Sequence, residues 1–246
     1  MKPAARSALL AGAAGAGLHA APALTAIGPL RRLTAPALAG AGRPGHLALT
    51  FDDGPDPAST PAFLRLLAEY DVRATFFVLG TMLERAPGLG RELAAAGHEV
   101  AVHGWDHRCL LLRGPRRTAE HLVRARDLVG EVTGQRPRWY RPPYGVFAAG
   151  AARAARRAGL VPVLWTAWGR DWSARASASS IVAAVGRRPA SGGTVLLHDS
   201  DCTSTPGSWR RTLAALPRLL DGWRAEGLQV GPLAEHGLRS AQSAQR

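Results

Sequence analysis

Two adjacent carboxylates, Asp52 and Asp53, stand where the apolar run from His46 to Phe51 gives way to Gly54-Pro55. A run closed by Gly-Pro reads as a buried strand ending in a tight turn. Neighbouring side chains at a strand end point in different directions, so one carboxylate can ligate a metal while the other takes a proton. Alone, Asp-Asp-Gly-Pro is more often only a polar turn. Its company changes that. The strand-like run Glu99 to Val102 leads into His103-Gly104-Trp105-Asp106-His107. Imidazoles at that spacing share one face of a helical turn, close enough to bind one divalent ion, and with a carboxylate they leave coordination positions open. Such a set is catalytic in character.

Three further polar groups obey the same rule. Trp139-Tyr140-Arg141 ends before Pro142-Pro143-Tyr144, Leu164 to Trp168 runs into Gly169-Arg170-Asp171-Trp172, and Thr194 to Leu197 runs into His198-Asp199. Each has a plainer reading: Arg141 as a surface residue before a rigid turn, Asp171 as a helix cap, His198-Asp199 as a solvated strand end. Together they place five chemically equipped strand ends on one rim. In parallel α/β sheets and barrels, that carboxyl-terminal rim is where sites assemble.

The ordered motifs TFDDGP, H-x-x-x-H, R-P-P-Y, D-W and L-L-H-D resemble those of the polysaccharide deacetylases, the NodB-homology family of carbohydrate esterases, over about Gly45 to Leu233. The resemblance implies an α/β fold, a distorted and incomplete (β/α) barrel of parallel strands with its site at their carboxyl ends. It implies metal-dependent removal of acetyl groups from sugars. By position, Asp53, His103 and His107 would bind the metal, Asp52 would be the general base tethered by Arg141, and His198 the general acid tuned by Asp171. The Tyr144 N–H would help hold the oxyanion, Trp172 would contact substrate, and Leu196 (or its neighbour Leu197) would line the pocket for the acetyl methyl.

Physical reasoning agrees with the division of labour. Water attacking an amide carbonyl must lose a proton to a nearby carboxylate, and the leaving amine needs one from a group that is cationic near neutral pH. An arginine beside Asp52 favours its ionised form, and a carboxylate beside His198 favours the imidazolium. Opposite partners separate base from acid. Two positions depart from the family pattern: Gly104 stands where Ser or Thr usually braces the histidine loop, and Trp168 stands where a further acid often precedes the aspartate. Ligation and the role of Asp171 survive both changes, but loop bracing and substrate contacts near Trp168 are expected to differ.

The elements that must position these residues alternate. Helices are predicted over Thr60 to Tyr70, Leu89 to Ala96, Pro115 to Val132, Phe147 to Ala158, Ile181 to Val185 and Ser208 to Glu226, with strands at Ala74 to Leu79 and Leu228 to Val230 besides those above. Strands alternating with helices at this spacing predict a parallel sheet. The expected organisation is an N-terminal segment over 1–44, one deacetylase domain over 45–235 and a polar tail over 236–246. A chain of this length buries a sizeable core without staples.

Lys2 is the one lysine, so the net charge of +13 is carried by arginine. A basic surface gathers near polyanions. No aromatic-interleaved basic stripe accompanies it, which argues against nucleic acid and for the anionic envelope of a bacterium as the thing attracted. Lys2 and Arg6 precede an uncharged stretch, Ser7 to Leu30, that resembles an export signal or weak anchor. It is rich in Ala and Gly and holds His19, Pro22 and Pro29, so it makes a poor membrane span; an Ala-rich helix packed on the barrel is the alternative. Export or envelope association is expected, with a cytoplasmic location as the other reading. Cys109 and Cys202 both follow catalytic strand ends, and they read either as a bridge between site loops in an exported protein or as two unrelated thiols.

The expected activity is thus hydrolysis of N-acetyl groups on a peptidoglycan- or chitin-like amino-sugar polymer or oligomer. Zinc is the favoured ion, with cobalt or another transition metal able to take the same ligands. The alternatives are an amidohydrolase acting on a small non-sugar amide, which a narrow closed pocket would favour, and a catalytically weak glycan-binding protein, which the intact acidic and histidine residues oppose.

Overall fold

Strand β1, His46–Asp52, is buried at every position and is the hub of a parallel sheet. The computed structural model describes residues 3–188 and 190–238. The tail expected over 236–246 lies outside them from residue 239, as does Lys2. The other strands are β2 (Thr75–Leu79), β3 (Glu99–Gly104), β4 (Trp139–Tyr140), β5 (Val161–Pro162), β6 (Ala167–Trp168), β7 (Thr194–His198) and β8 (Gln229–Gly231). They run in the order β5-β4-β3-β2-β1-β7-β6, and β8 pairs with β1. The register divides β1: residues Thr50 to Asp52 pair with β2, His46 to Ala48 with β8, and Ala48 to Asp52 with β7. Among the described residues nothing joins β5 to β6, so the sheet curls into a barrel that stays open at that seam.

Helices cover the outside: α3 (Thr60–Glu69), α4 (Gly80–Arg85), α5 (Pro87–Ala95), α6 (Pro115–Thr133), α7 (Ala151–Arg157), α8 (Ala178–Val185) and α9 (Ser208–Ala225), preceded by α1 (Pro3–Ala20) and α2 (Gly28–Thr34). Period-two alternation sorts the strand residues. Leu47, Leu49 and Phe51 join the large core under the helices, while Ala48 packs with Phe77, Ala101, Trp139, Val163 and Leu233 in a small core inside the barrel. Each large side chain so buried contributes about 1.5–3 kcal/mol. Thr50 and Asp52 share the inward face of Ala48. His103 follows Ala101 inward, and Arg141 follows Trp139. The core therefore gives way to polar chemistry at one end of the barrel.

Three local expectations need correction. Leu164 to Trp168 is not one strand: only Ala167–Trp168 pairs with β7, and the chain before it lies at the open seam. Backbone there is shared between two partners, Leu164 N–H donating to the Leu38 carbonyl at 2.9 Å and Thr166 N–H to the carbonyl of Thr194, at the start of β7, at 2.9 Å. The helix expected from Phe147 starts only at Ala151, because Gly150 takes a left-handed φ of 78° as its N-cap. α4 was not anticipated, since six residues beginning Gly-Thr carry little helical periodicity.

The segment before β1 packs on the seam. Buried Arg31 donates from Nη2 to the Trp165 carbonyl at 2.7 Å and from Nη1 to the Thr25 carbonyl at 2.9 Å, and Thr194 Oγ1 donates to the Gly40 carbonyl at 2.6 Å. Among the described residues no helix is long and apolar enough to cross a membrane.

Candidate active site

Asp53, His103 and His107 converge at the carboxyl end of the barrel, each offering one ligand atom within 4.8 Å of the others. Asp53 follows β1 with a φ of 81°, a left-handed conformation that aspartate tolerates better than most residues and that turns its side chain away from the direction of Asp52. The helical turn expected for the histidines is not formed: His103 is the last residue but one of β3 and His107 lies in the bend that follows. Gly104, at φ 123°, makes that bend. Any Cβ there is strained, which accounts for glycine in place of Ser or Thr. Bracing comes instead from the loop itself. Asp106 pairs with Arg113, the Trp105 carbonyl accepts from Thr81 N–H at 2.8 Å, and the Arg124 guanidinium lies 3.4 Å from the Trp105 ring centroid.

The histidine tautomer bears on what fits between these groups. His103 Nδ1 lies 2.9 Å from the Arg141 carbonyl oxygen, which can only accept, so Nδ1 carries the proton and Nε2 of the neutral ring is bare. That bare nitrogen is 3.3 Å from Asp53 Oδ1, as is His107 Nε2. Oδ1 is buried and takes no hydrogen bond among the described residues. Lone pairs converging in this way repel unless a cation sits among them, so the set fits a divalent ion. Burial holds His107 down at about 4 despite the nearby Asp53, keeping the ring neutral for ligation.

Asp52 is held by Arg141. Arg141 Nη1 donates to Asp52 Oδ1 at 2.7 Å and to Thr50 Oγ1 at 2.8 Å, and Nη2 donates to the Leu164 carbonyl at 3.0 Å. The guanidinium is fully buried over the Phe77 ring, so this is no surface arginine. On the other wall, Asp171 grips His198 twice: the His198 ring Nδ1–H at 2.9 Å and its backbone N–H at 2.8 Å. Burial works to lower the His198 pKa, but Asp171, with Asp53 and Asp52 beyond it, overcomes that and pushes it up to about 10.

A cavity of about 450 Å³ joins these groups, with Tyr144, Trp165, Trp168, Trp172 and Leu196 along its walls. Tyr144, at φ 59°, sets its ring edge-on to His107 with centroids 4.4 Å apart. Leu196 faces the cavity, whereas Leu197 is buried in the outer core. Cys109 and Cys202 are separate thiols. Cys202 Sγ points at the Asp53 carbonyl, 3.5 Å away, instead of across to the histidine loop.

Sequence reasoning missed two supports. Thr203 Oγ1 donates to Asp53 Oδ2 at 2.7 Å, leaving Oδ1 for the histidines; a threonine in a polar loop carries no signal of this. Asp199 is buried behind Gly54, where a Cβ would come within 2.3 Å of its Oδ2, and it accepts from Thr60 Oγ1 at 2.6 Å. Burial pushes the Asp199 carboxyl up to about 7, with Asp53 adding to the rise.

Residues 39–163 match the sequence profile of the family described as Polysaccharide deacetylase. The chain belongs to that family. The deacetylase is 36% identical over 203 residues to the chitooligosaccharide deacetylase of Sinorhizobium fredii, covering 80% of this chain and 94% of that one. It is 33% identical over 192 residues to the peptidoglycan-N-acetylglucosamine deacetylase of Bacillus cereus, covering 77% and 86%. Among solved structures it superimposes on the Bc1960 peptidoglycan N-acetylglucosamine deacetylase with a TM-score of 0.77 at 26% identity, over 86% of this chain and 98% of that one. The incomplete parallel barrel expected for this deacetylase is therefore its fold.

Proposed function

We propose that this deacetylase removes N-acetyl groups from a peptidoglycan- or chitin-like amino-sugar polymer or oligomer, using a divalent ion held by Asp53, His103 and His107. The observation that carries the reading is the convergence of both imidazole Nε2 atoms, each at 3.3 Å, on Asp53 Oδ1, which has no hydrogen-bond partner among the described residues. An ion bound there supplies Lewis-acid polarisation of the carbonyl and acidifies water. Zinc suits a set of two nitrogens and one oxygen, as cobalt does.

The chain's own residues account for the proton movements. Asp52, fixed by Arg141, takes the proton of the attacking water at a carboxylate oxygen. His198, kept protonated by Asp171, gives its Nε2 proton to the departing amine. The Tyr144 N–H steadies the developing oxyanion, Leu196 receives the acetyl methyl, and half-exposed Trp172 packs on a sugar ring. The cavity continues past Trp168 into a second one, which supports a chain of sugars over a small isolated amide. We place the protein at the bacterial envelope, where its net charge of +13 is attracted to anionic polymers.

The test is acetate release from peptidoglycan, chitooligosaccharides and acetylated xylan by metal-stripped protein with zinc or cobalt added back. Release from the amino-sugar substrates on metal addition is expected. Release from xylan alone, or release unaffected by chelation, would overturn the reading.

A further inference from the structure

A second cavity, of about 520 Å³, adjoins the catalytic one and shares Tyr144, Trp165 and Trp168 with it. Its volume lies within the roughly 300–1,000 Å³ of small-ligand sites. Five arginines border it: Arg31 and Arg32 of α2, Arg170 after β6, and Arg187 and Arg188 after α8. Among the described residues none of the five pairs with a carboxylate. Glu226 borders an adjoining cavity that Arg187 and Arg188 also line, without an ion pair to either.

Positive charges gathered on one concave surface without counter-charges focus a potential that draws an anion. Arg31 is the fixed member. Both of its terminal nitrogens are committed to backbone carbonyls, and its Nε is buried with no hydrogen-bond partner among the described residues. Burial, then Arg32 and Arg141, lower its pKa to about 10, so it remains charged at neutral pH. Arg32, Arg170, Arg187 and Arg188 are exposed and, among the described residues, have free donors for a planar anion.

The tryptophans set where that anion must sit. Trp165 and Trp168 have ring centroids 5.8 Å apart, and Trp168 and Trp172 6.5 Å apart, so a row of aromatic faces leads from the acetyl-binding end to the arginines. The Arg170 guanidinium lies 5.2 Å from the centroid of Trp168, the middle ring of that row, and the Arg31 guanidinium lies 5.8 Å from the centroid of Trp165, at the end away from Trp172. The apolar C–H face of a pyranose packs on an aromatic ring. A glycan stretched along the row would therefore place the substituent of its next sugar among the arginines.

We infer that this cavity is an anion-binding subsite for a carboxylate carried by the sugar next to the one being deacetylated, so that the preferred substrate is an acidic glycan and not a neutral amino-sugar homopolymer. The inference rests on the deacetylase reading above for the direction of the glycan, but not for the charge of the cavity. Arginine forks match carboxylates in pairs of parallel hydrogen bonds.

Two tetrasaccharides of equal length test it: neutral chitotetraose, and alternating N-acetylglucosamine and N-acetylmuramic acid with free lactyl carboxylates. Binding is measured by calorimetry with metal-loaded Asp52→Asn protein, which removes turnover from the readout. The acidic tetrasaccharide is expected to bind tighter, and Arg187→Ser/Arg188→Ser should weaken it by about tenfold or more, the scale of a charge-assisted hydrogen bond. Arg91→Ser/Arg156→Ser, on exposed positions of α5 and α7 outside the cavity, removes the same net charge and should keep the preference. Equal binding of the two sugars, or equal losses in the two double variants, would overturn the subsite. Acetate release by the unmodified protein is scored separately. Its absence alongside an intact binding preference would defeat the deacetylase reading and leave the subsite standing.

Discussion

Asp171 holds His198 at two points, Oδ1 on the ring Nδ1–H at 2.9 Å and Oδ2 on the backbone N–H at 2.8 Å, and Thr212 Oγ1 fixes Oδ2 from behind at 2.8 Å. One carboxylate therefore sets both the orientation and the charge of the imidazole. A histidine pKa raised on folding, here from 6.5 to about 10, stabilises the fold fully below its unfolded value and loses that stabilisation as pH rises through the folded one. For activity, the protonated form is the competent acid, so the basic limb of the kcat/KM profile should lie above the ordinary histidine range. Asp171→Asn should move that limb to lower pH. A limb unmoved in this variant would remove His198 from the acid role.

Asp53→Ala and His107→Ala each leave two ligands, too few for tight binding at an open site. Both variants are expected to lose bound metal together with activity, as elemental analysis of dialysed protein would report. Stoichiometric metal in either would mean that the ion sits elsewhere.

Asp52→Asn preserves the shape that Arg141 grips and cannot accept a proton at neutral pH. Metal content should stay normal while kcat falls by about 10²–10⁴-fold. Near-normal turnover would transfer the base role to another group.

Thr203→Val removes the hydroxyl that engages Asp53 Oδ2 and frees the carboxylate to rotate. Loss of such an outer partner typically weakens metal binding by about 10–100-fold. Competition with a chelator measures this directly; unchanged affinity would show that Asp53 is held by its left-handed backbone alone.

The chain's local patterns carried most of the scaffold. Apolar runs at β1, β2 and β7 and amphipathic stretches at α6 and α9 fall where periodicity puts them, because a buried strand or a one-sided helix leaves its mark residue by residue. β5 left no such mark, and β6 only a blurred one inside the longer run Leu164 to Trp168: each is two residues long at an open seam, and the chain between them satisfies its backbone through the N-terminal segment and β7.

By itself the sequence determined the polar residues and the strand ends that carry them, since motif order and the switch from apolar run to turn are properties of neighbouring residues. Only the tertiary structure decided which of them meet. The bend at Gly104, and not a helical turn, brings His107 to His103. A loop some 150 positions away supplies Thr203 to Asp53, and α2 delivers Arg31 to a seam that no local signal revealed. These contacts depend on how the sheet curls and where it fails to close, and barrel curvature is set by the packing of the whole sheet.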